Sequence, residues 1–369
     1  MSATNGNADI SSMFGLTEKQ AKILFSIERL LVLNDIIYSK DNKMLKQKWL
    51  SEWSASVIDC LTKDPQNPVK FMTRGEILSA IALENSTDIN NTWYYLIMFE
   101  ATLFIPYYVL NKNKYNDKEY DKLKYKEQTD TIKDMVRASA IMDEVFIDRF
   151  KKTYSVTISK LKGTKIPLYI VSTLAIAAIV AATAGTLSGP IAVALYASQF
   201  PGLSGAALTS ACLAIAGGGA IAAGGAGMAG GVLTIVGGGA LIGLAIGGAG
   251  VGAAAKFIAT SPYFALTQAA KLEVVLKEII LNAQKDIMCA QKVLENYKNQ
   301  IAYLHSELAK IKLEHGEDKK IIKHMKESLD LMEKSYKNII DLLKKYEVDA
   351  EFKDRENGDD DEKKPTNSN

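Results

Sequence analysis

The sequence predicts an all-α protein: an elongated helical bundle with long coiled-coil helices and a Gly/Ala-rich apolar head that inserts into a membrane. Three observations predict it. On both sides of the chain's centre, apolar residues recur at spacings of three and four, the period of one helix face. Helix-capping boxes punctuate the N-terminal third. Between Lys165 and Lys256 run 90 residues, Ile166 to Ala255, without one Asp, Glu, Lys, Arg or His. With 23% charged residues overall, a chain of even composition would carry a charge at about every fourth position, so a gap of this length belongs in lipid or must be screened from water.

The elements follow in order. Residues 1–15 are polar and are expected to be disordered, and residues 16–112 form an N-terminal helical domain. Thr17-Glu-Lys-Gln20 is a capping box that opens a helix to about Asn34. A second amphipathic segment runs from about Asn42 to Leu61 and stops at the turn residues DPQNP, and Thr73-Arg-Gly-Glu76 is a second capping box. The stretch NTWYYLIMFEATLFIPYYVL is broken by Glu100 and Pro106, too short an apolar run to span a bilayer, and reads as the core of this domain. Residues 113–165 are expected to form one long helix, since Ile132, Met135, Ala138, Met142, Phe146 and Phe150 share a face.

The head, 166–255, has room for two to four helical segments at about 20 residues per crossing. Leu168 to Thr186 is its most apolar part, and Ser188-Gly189-Pro190 and Pro201-Gly202 break it. Basic residues flank both ends, Lys160, Lys162 and Lys165 before it and Lys256 after it, which places both ends on one side and calls for an even number of crossings. Of the 26 glycines, 20 lie inside the block. Gly239, Gly243 and Gly247 are spaced by four, Gly248 and Gly252 repeat the spacing on an adjoining face, and Gly219, Ala223, Gly227 and Gly231 form another small-residue ladder. Such rows let two helix backbones approach closely in lipid, so these glycines are the candidate packing residues.

Beyond the block, residues 256–347 are expected to form an antiparallel coiled-coil hairpin. Its first arm, about Ser261 to Leu313, carries Leu272, Ile279, Ala283, Ile287, Ala290, Leu294, Tyr297 and Ile301 on one stripe, and its second carries Ile322, Met325, Leu329, Met332, Tyr336 and Ile339 after a break at His315-Gly316. The longer first arm leaves part of its stripe free, which the helix before the block is placed to cover. The tail, 348–369, is charged and expected to be disordered.

Function classes fall away in turn. Forty-four basic and 42 acidic residues give a net charge of +2, which offers no case for nucleic-acid binding. Cys60, Cys212 and Cys289 are scattered and odd in number, excluding a complete disulfide framework or a CxxC metal site, and no cleavable secretory signal is expected, since no basic stretch followed by an apolar core is visible in MSATNGNADISSMFGLTEKQ. Gly225, Gly227 and Gly230 match GxGxxG, but no acidic residue follows before Glu273 and the flanks lack a βαβ pattern. His305, His315 and His324 have no ligand partners at metal spacing. No catalytic residue, cofactor or metal is therefore expected, and the protein is expected not to be an enzyme.

The order of a long helix from about Asn116 to Lys162, an apolar head, and a long helix from about Ser261 to Leu313 followed by a coiled-coil return resembles the α-helical pore-forming toxins of the cytolysin A and haemolysin BL type. A Gly/Ala-rich hairpin before a charged coiled coil is similar to the apolipoprotein L proteins. The resemblance implies an oligomer that permeabilises a membrane. The expected function is accordingly insertion into a lipid bilayer, with self-association through the glycine ladders and the coiled coil, followed by perforation or remodelling of the membrane. The alternative is a constitutive membrane anchor whose coiled coil recruits a protein partner. The expected location is a membrane, or water followed by conversion to a membrane-bound state.

Overall fold

The computed structural model describes residues 18–62, 66–86, 91–107, 117–162, 262–314 and 319–361, all of which are helix, turn or irregular chain with no strand among them. The fold is all-α. The helices are α1 (Glu18–Tyr38), α2 (Lys43–Leu61), α3 (Arg74–Asn85), α4 (Thr92–Leu103), α5 (Thr129–Ser139), α6 (Val145–Lys162), α7 (Pro262–Val274), α8 (Ile287–Glu314) and α9 (Lys319–Asp361). A 3₁₀ turn occupies Asp117–Lys122, and Val275–Ala283 is a π-helix that continues α7. The uncharged block with all eight candidate glycines, Gly219, Gly227, Gly231, Gly239, Gly243, Gly247, Gly248 and Gly252, lies outside the described residues, as do Lys165, Lys256 and Thr17 of the first capping box. No helix among the described residues is long and apolar enough to cross a membrane.

The N-terminal helices assemble around aromatic side chains. α1 and α2 form an antiparallel pair closed through Asn42, which takes a left-handed φ of 59°. Trp49 and Trp53 of α2 stack at 5.9 Å, and Phe25 of α1 meets Trp53 edge-on. α3 begins with the expected capping box: the Glu76 amide donates to Thr73 Oγ1 and the Thr73 amide to the Glu76 carboxylate. α4 is buried almost along its length, and its rings meet α6 in order, Tyr95 on Phe146 and Phe99 on Phe150. That order makes α4 and α6 parallel. Glu28 of α1 lies near Glu100, and Asp35, two turns on, accepts from Tyr107, so α1 runs the same way.

The chain before the block is not one long helix. It enters through the 3₁₀ turn, continues without regular structure to Gln128, forms α5, and breaks again at Ala140, whose φ is 54°. The Ala140 amide closes α5 on the Val136 carbonyl, and Asp143 Oδ1 then takes the Val145 amide to start α6. α5 and α6 are antiparallel, tied by Lys133 to Asp148 and by Lys151 to Glu127. The apolar stripe is nevertheless buried except at Ala138, which is exposed, because Ile132 and Met135 from α5 and Met142, Phe146 and Phe150 around and within α6 converge on one core.

The first arm of the expected hairpin is also folded back. Ser335 of α9 donates to the Ala269 carbonyl and Asn338 to Glu273, so α9 runs parallel to α7. α8 runs antiparallel to α9: Gln291 pairs with Glu347, Tyr297 with the Met332 carbonyl, and His305 with Glu333. α7 and α8 are therefore antiparallel, and the chain reverses between them at Gln284–Asp286. The local chemistry accounts for it. Lys285 adopts a left-handed φ of 59°, the Gln284 and Asp286 amides close the π turns on the Ile279 and Ile280 carbonyls, and Asp286 Oδ1 caps α8 by accepting from the Cys289 amide. The result is a three-helix arrangement of α7, α8 and α9 joined to the N-terminal helices through a single continuous core. The tail likewise departs from expectation, since α9 remains helical through Asp361.

The reversal has a mutational signature. A Cβ at a left-handed position costs about 1 kcal/mol, so Lys285→Gly is expected to leave stability unchanged or raise it by up to ~1 kcal/mol. In a continuous helix the same change would cost about 1 kcal/mol, and chemical unfolding midpoints separate the two.

Candidate functional site

The helices on either side of the block, α6 and α7, are antiparallel neighbours. Arg149 and Thr153, in the first half of α6, reach Glu278 beyond the end of α7, whereas Tyr154 and Ser155 line a cavity with Thr267. Residue numbers thus rise on one helix as they fall on the other. Lys162 and Pro262 consequently lie toward the same end of the body, and the chain departs into the block and returns from it at that end.

α7 and its π extension carry the buried charges that fix this arrangement. Lys271 is 1% exposed and donates to Glu100 of α4 at 2.7 Å. Burial raises the Glu100 carboxyl above its usual range, and the Lys271 charge and hydrogen bond offset part of that rise. Glu28 of α1 is also buried beside this pair, and burial, reinforced by the Glu100 carboxylate, pushes it well up despite the Lys271 charge. One ammonium thus lies beside two carboxyl groups, pairs with Glu100 alone, and offsets only part of the rise that burial causes in each. Gln268, one turn before Lys271, is fully buried with neither side-chain polar atom hydrogen-bonded within the described structure.

Two further acids face the other neighbours. Glu278 receives hydrogen bonds from Thr153 at 2.7 Å and Asn282 at 2.9 Å and pairs with Arg149 at 2.6 Å. Burial alone would raise its pKa, but these donors and charges together hold it below the usual carboxylate value. Glu273 faces α9, where Asn338 donates at 3.2 Å; burial dominates there and raises its pKa to about 7, with Asn338, Ser335 and Lys160 offsetting only part. Lys160, one of the expected membrane-flanking cations, is exposed and shares an open groove with Glu273 and Asn338, while Lys162 ends α6 half-buried.

Sequence reasoning placed Leu272 and Ile279 on an apolar stripe and passed over Lys271, Glu273 and Glu278. The segment PYFALTQAAKLEV holds only Lys271 and Glu273 as charges, a density low enough to signal burial on all sides. A helix enclosed on every face must bury whatever charge it has, and pair it.

Cys289 is buried, and the described residues contain no group of three His, Cys, Asp or Glu able to hold a metal ion. Comparison with protein-family models, with curated proteins and with solved structures gives no match. The functional reading therefore rests on the chain's own residues.

The Glu273 carboxyl carries a pH prediction. Its folded pKa of about 7 lies above the ordinary value of 4.5, so between these values the native state binds more protons than the unfolded chain. Stability falls as pH rises through this window, by on the order of 3 kcal/mol once the group is fully ionised. Unfolding midpoints of the parent and Glu273→Gln proteins at pH 5 and pH 8 are expected to differ in this sense, with the parent losing more stability on going to pH 8.

Proposed function

We propose that this chain is a non-enzymatic membrane-inserting protein whose block, 166–255, enters a lipid bilayer, and that it oligomerises and permeabilises or remodels that bilayer. One observation carries the reading: 90 consecutive residues without an Asp, Glu, Lys, Arg or His connect two helices that pack antiparallel, so both ends of the block meet the body at one end. An apolar segment anchored in this way enters and leaves lipid from one side, as an even number of crossings requires. Lys160, Lys162, Lys165 and Lys256 hold both ends on the aqueous side. The body contributes the pairing of α8 with α9 as a coiled-coil surface for self-association, and the glycine rows supply close packing in lipid.

An enzymatic reading draws no support from the buried charges of the body. Lys271, Glu100, Glu278, Arg149 and Glu273 are each engaged in contacts that join helices. A transporter reading is weakened by the uncharged block itself, since transport sites within lipid usually contain an ionisable group.

The test is fractionation of the full-length protein after expression without detergent, followed by addition of dye-loaded liposomes to the soluble fraction. Soluble protein that releases dye is the expected result. Protein found wholly in membranes and resistant to alkaline extraction would make the block a constitutive anchor, with the coiled coil left to recruit a partner. Gly243→Leu and Gly247→Leu are expected to abolish assembly and leakage while the helical body stays folded, and unchanged oligomer size with unchanged leakage would rule out the glycine ladder as the assembly surface.

A further inference from the structure

The end of the body at which the block departs carries another group of residues that the membrane-insertion reading does not use. α1, α4 and α6 are parallel, so Tyr38, at the end of α1, lies toward the same end as Lys162 and Pro262. The α1–α2 turn sits there, together with the irregular chain that leads into α5. Between Lys122 and Lys126 the sequence reads Lys-Leu-Lys-Tyr-Lys, and its side chains alternate between exposed and partly buried. Leu123 and Tyr125 pack against the core, and Lys122, Lys124 and Lys126 are exposed.

This strip is fixed to the end of α1. The Lys126 amide donates to Asp35 Oδ1 at 2.9 Å, and Lys46 Nζ donates to the Lys124 carbonyl at 2.6 Å. A cavity of about 390 Å³ opens between strip and turn, with Lys40 and Asn42 on its far wall. Of the carboxylates that line or adjoin the cavity, most are already engaged. Asp35 is buried and already takes Lys46, Tyr107 and the Lys126 amide, and Glu127 pairs with Lys151, which leaves Asp41 as the exposed acid in the cavity wall, while Glu119 in the preceding 3₁₀ turn is exposed but does not line it. Lys122, Lys124 and Lys126 make no ion pair among the described residues. Beside them, Ile37 is 62% exposed, Tyr38 75% and Met44 84%, three large apolar side chains grouped at one turn.

We propose that Lys40, Lys122, Lys124 and Lys126, with Ile37, Tyr38 and Met44, form a surface that seats on a bilayer carrying anionic headgroups. The cations meet headgroup phosphates and carboxylates, and the three apolar side chains enter the interfacial layer. A lipid surface is favoured over a soluble polyanion or an acidic protein because this patch shares its end of the body with the root of an uncharged block of 90 residues. The inference rests on the membrane-insertion reading and adds the lipid class that the body selects.

The test uses the full-length chain and its Lys122→Gln/Lys124→Gln/Lys126→Gln variant on vesicles of phosphatidylcholine alone or mixed with phosphatidylserine. Bound fraction and dye release per bound molecule are measured separately. All three side chains are exposed, so helix content and melting should be unchanged. The variant is expected to bind phosphatidylserine vesicles roughly a hundredfold more weakly than the parent, with equal binding to phosphatidylcholine and unchanged release per bound molecule. For protein reconstituted from detergent, acetylation by a membrane-impermeant lysine reagent, read by mass spectrometry, should be slower at Lys122, Lys124 and Lys126 in phosphatidylserine vesicles than in phosphatidylcholine. Equal binding by parent and variant to phosphatidylserine vesicles, equal acetylation in both lipids, or preference for duplex DNA over vesicles at equal phosphate concentration would overturn the proposal. Lipid-selective binding without dye release would instead count against permeabilisation and leave this surface standing.

Discussion

The ammonium group of Lys271, held 2.7 Å from the Glu100 carboxylate in the interior, fixes where the helix that follows the uncharged block can sit. An unpaired charge at that depth would cost several kcal/mol, so sliding or rotating α7 away from α4 is resisted by more than lost packing. The same helix then has no free face. Glu278 commits its far end to α6 through Arg149 and Thr153, and Glu273 turns toward α9 through Asn338. Three charged groups within eight residues therefore define three neighbours, and the antiparallel contact between α6 and α7 follows from them.

That contact is what gives the molecule an end. With α6 and α7 antiparallel, the block's two roots meet the body together, and the parallel run of α1, α4 and α6 brings the α1–α2 turn and the lysine strip to the same place. Burial of Glu28, Glu100 and Glu273 gives the body a particular pH response, because burial raises the pKa of each above the ordinary carboxylate value. Mild acid thus stabilises these sites, and release of the body by acid would have to act elsewhere, for instance at Glu278, whose carboxylate is needed ionised.

Much of the fold was legible. Helical periodicity gave the all-α class, the Thr73–Glu76 box marked α3, and the placement of the pre-block helix against the post-block helix follows from an apolar stripe too long for its partner. The two reversals were hidden because apolar spacing carries straight through them. Ile279, Ala283, Ile287 and Ala290 keep a helical rhythm across Lys285, and Met142 and Phe146 do so across the turn after Ala140. Periodicity reports which side chains need burial and is silent on chain direction. The signals for direction were Asp143 and Asp286, each just before a helix and each accepting a backbone amide there. The lysine strip was missed for a similar reason, since a period of two inside a presumed helix looks like surface charge.

The claim on which the central arrangement turns is that the chain folds back after α7, so that α8 returns along α9, which itself lies against α7, toward the end where the block begins. Pulsed electron-spin distance measurements between labels at Lys160 and Lys298, both exposed, test it in a background with the three native cysteines replaced. Lys298 should sit level with the middle of α7, within one or two helix widths of Lys160, about 10–20 Å, in water and with lipid. A continuous arm from Ser261 to Leu313 would carry Lys298 about 45 Å further along the axis, and a distance of that order would contradict the account.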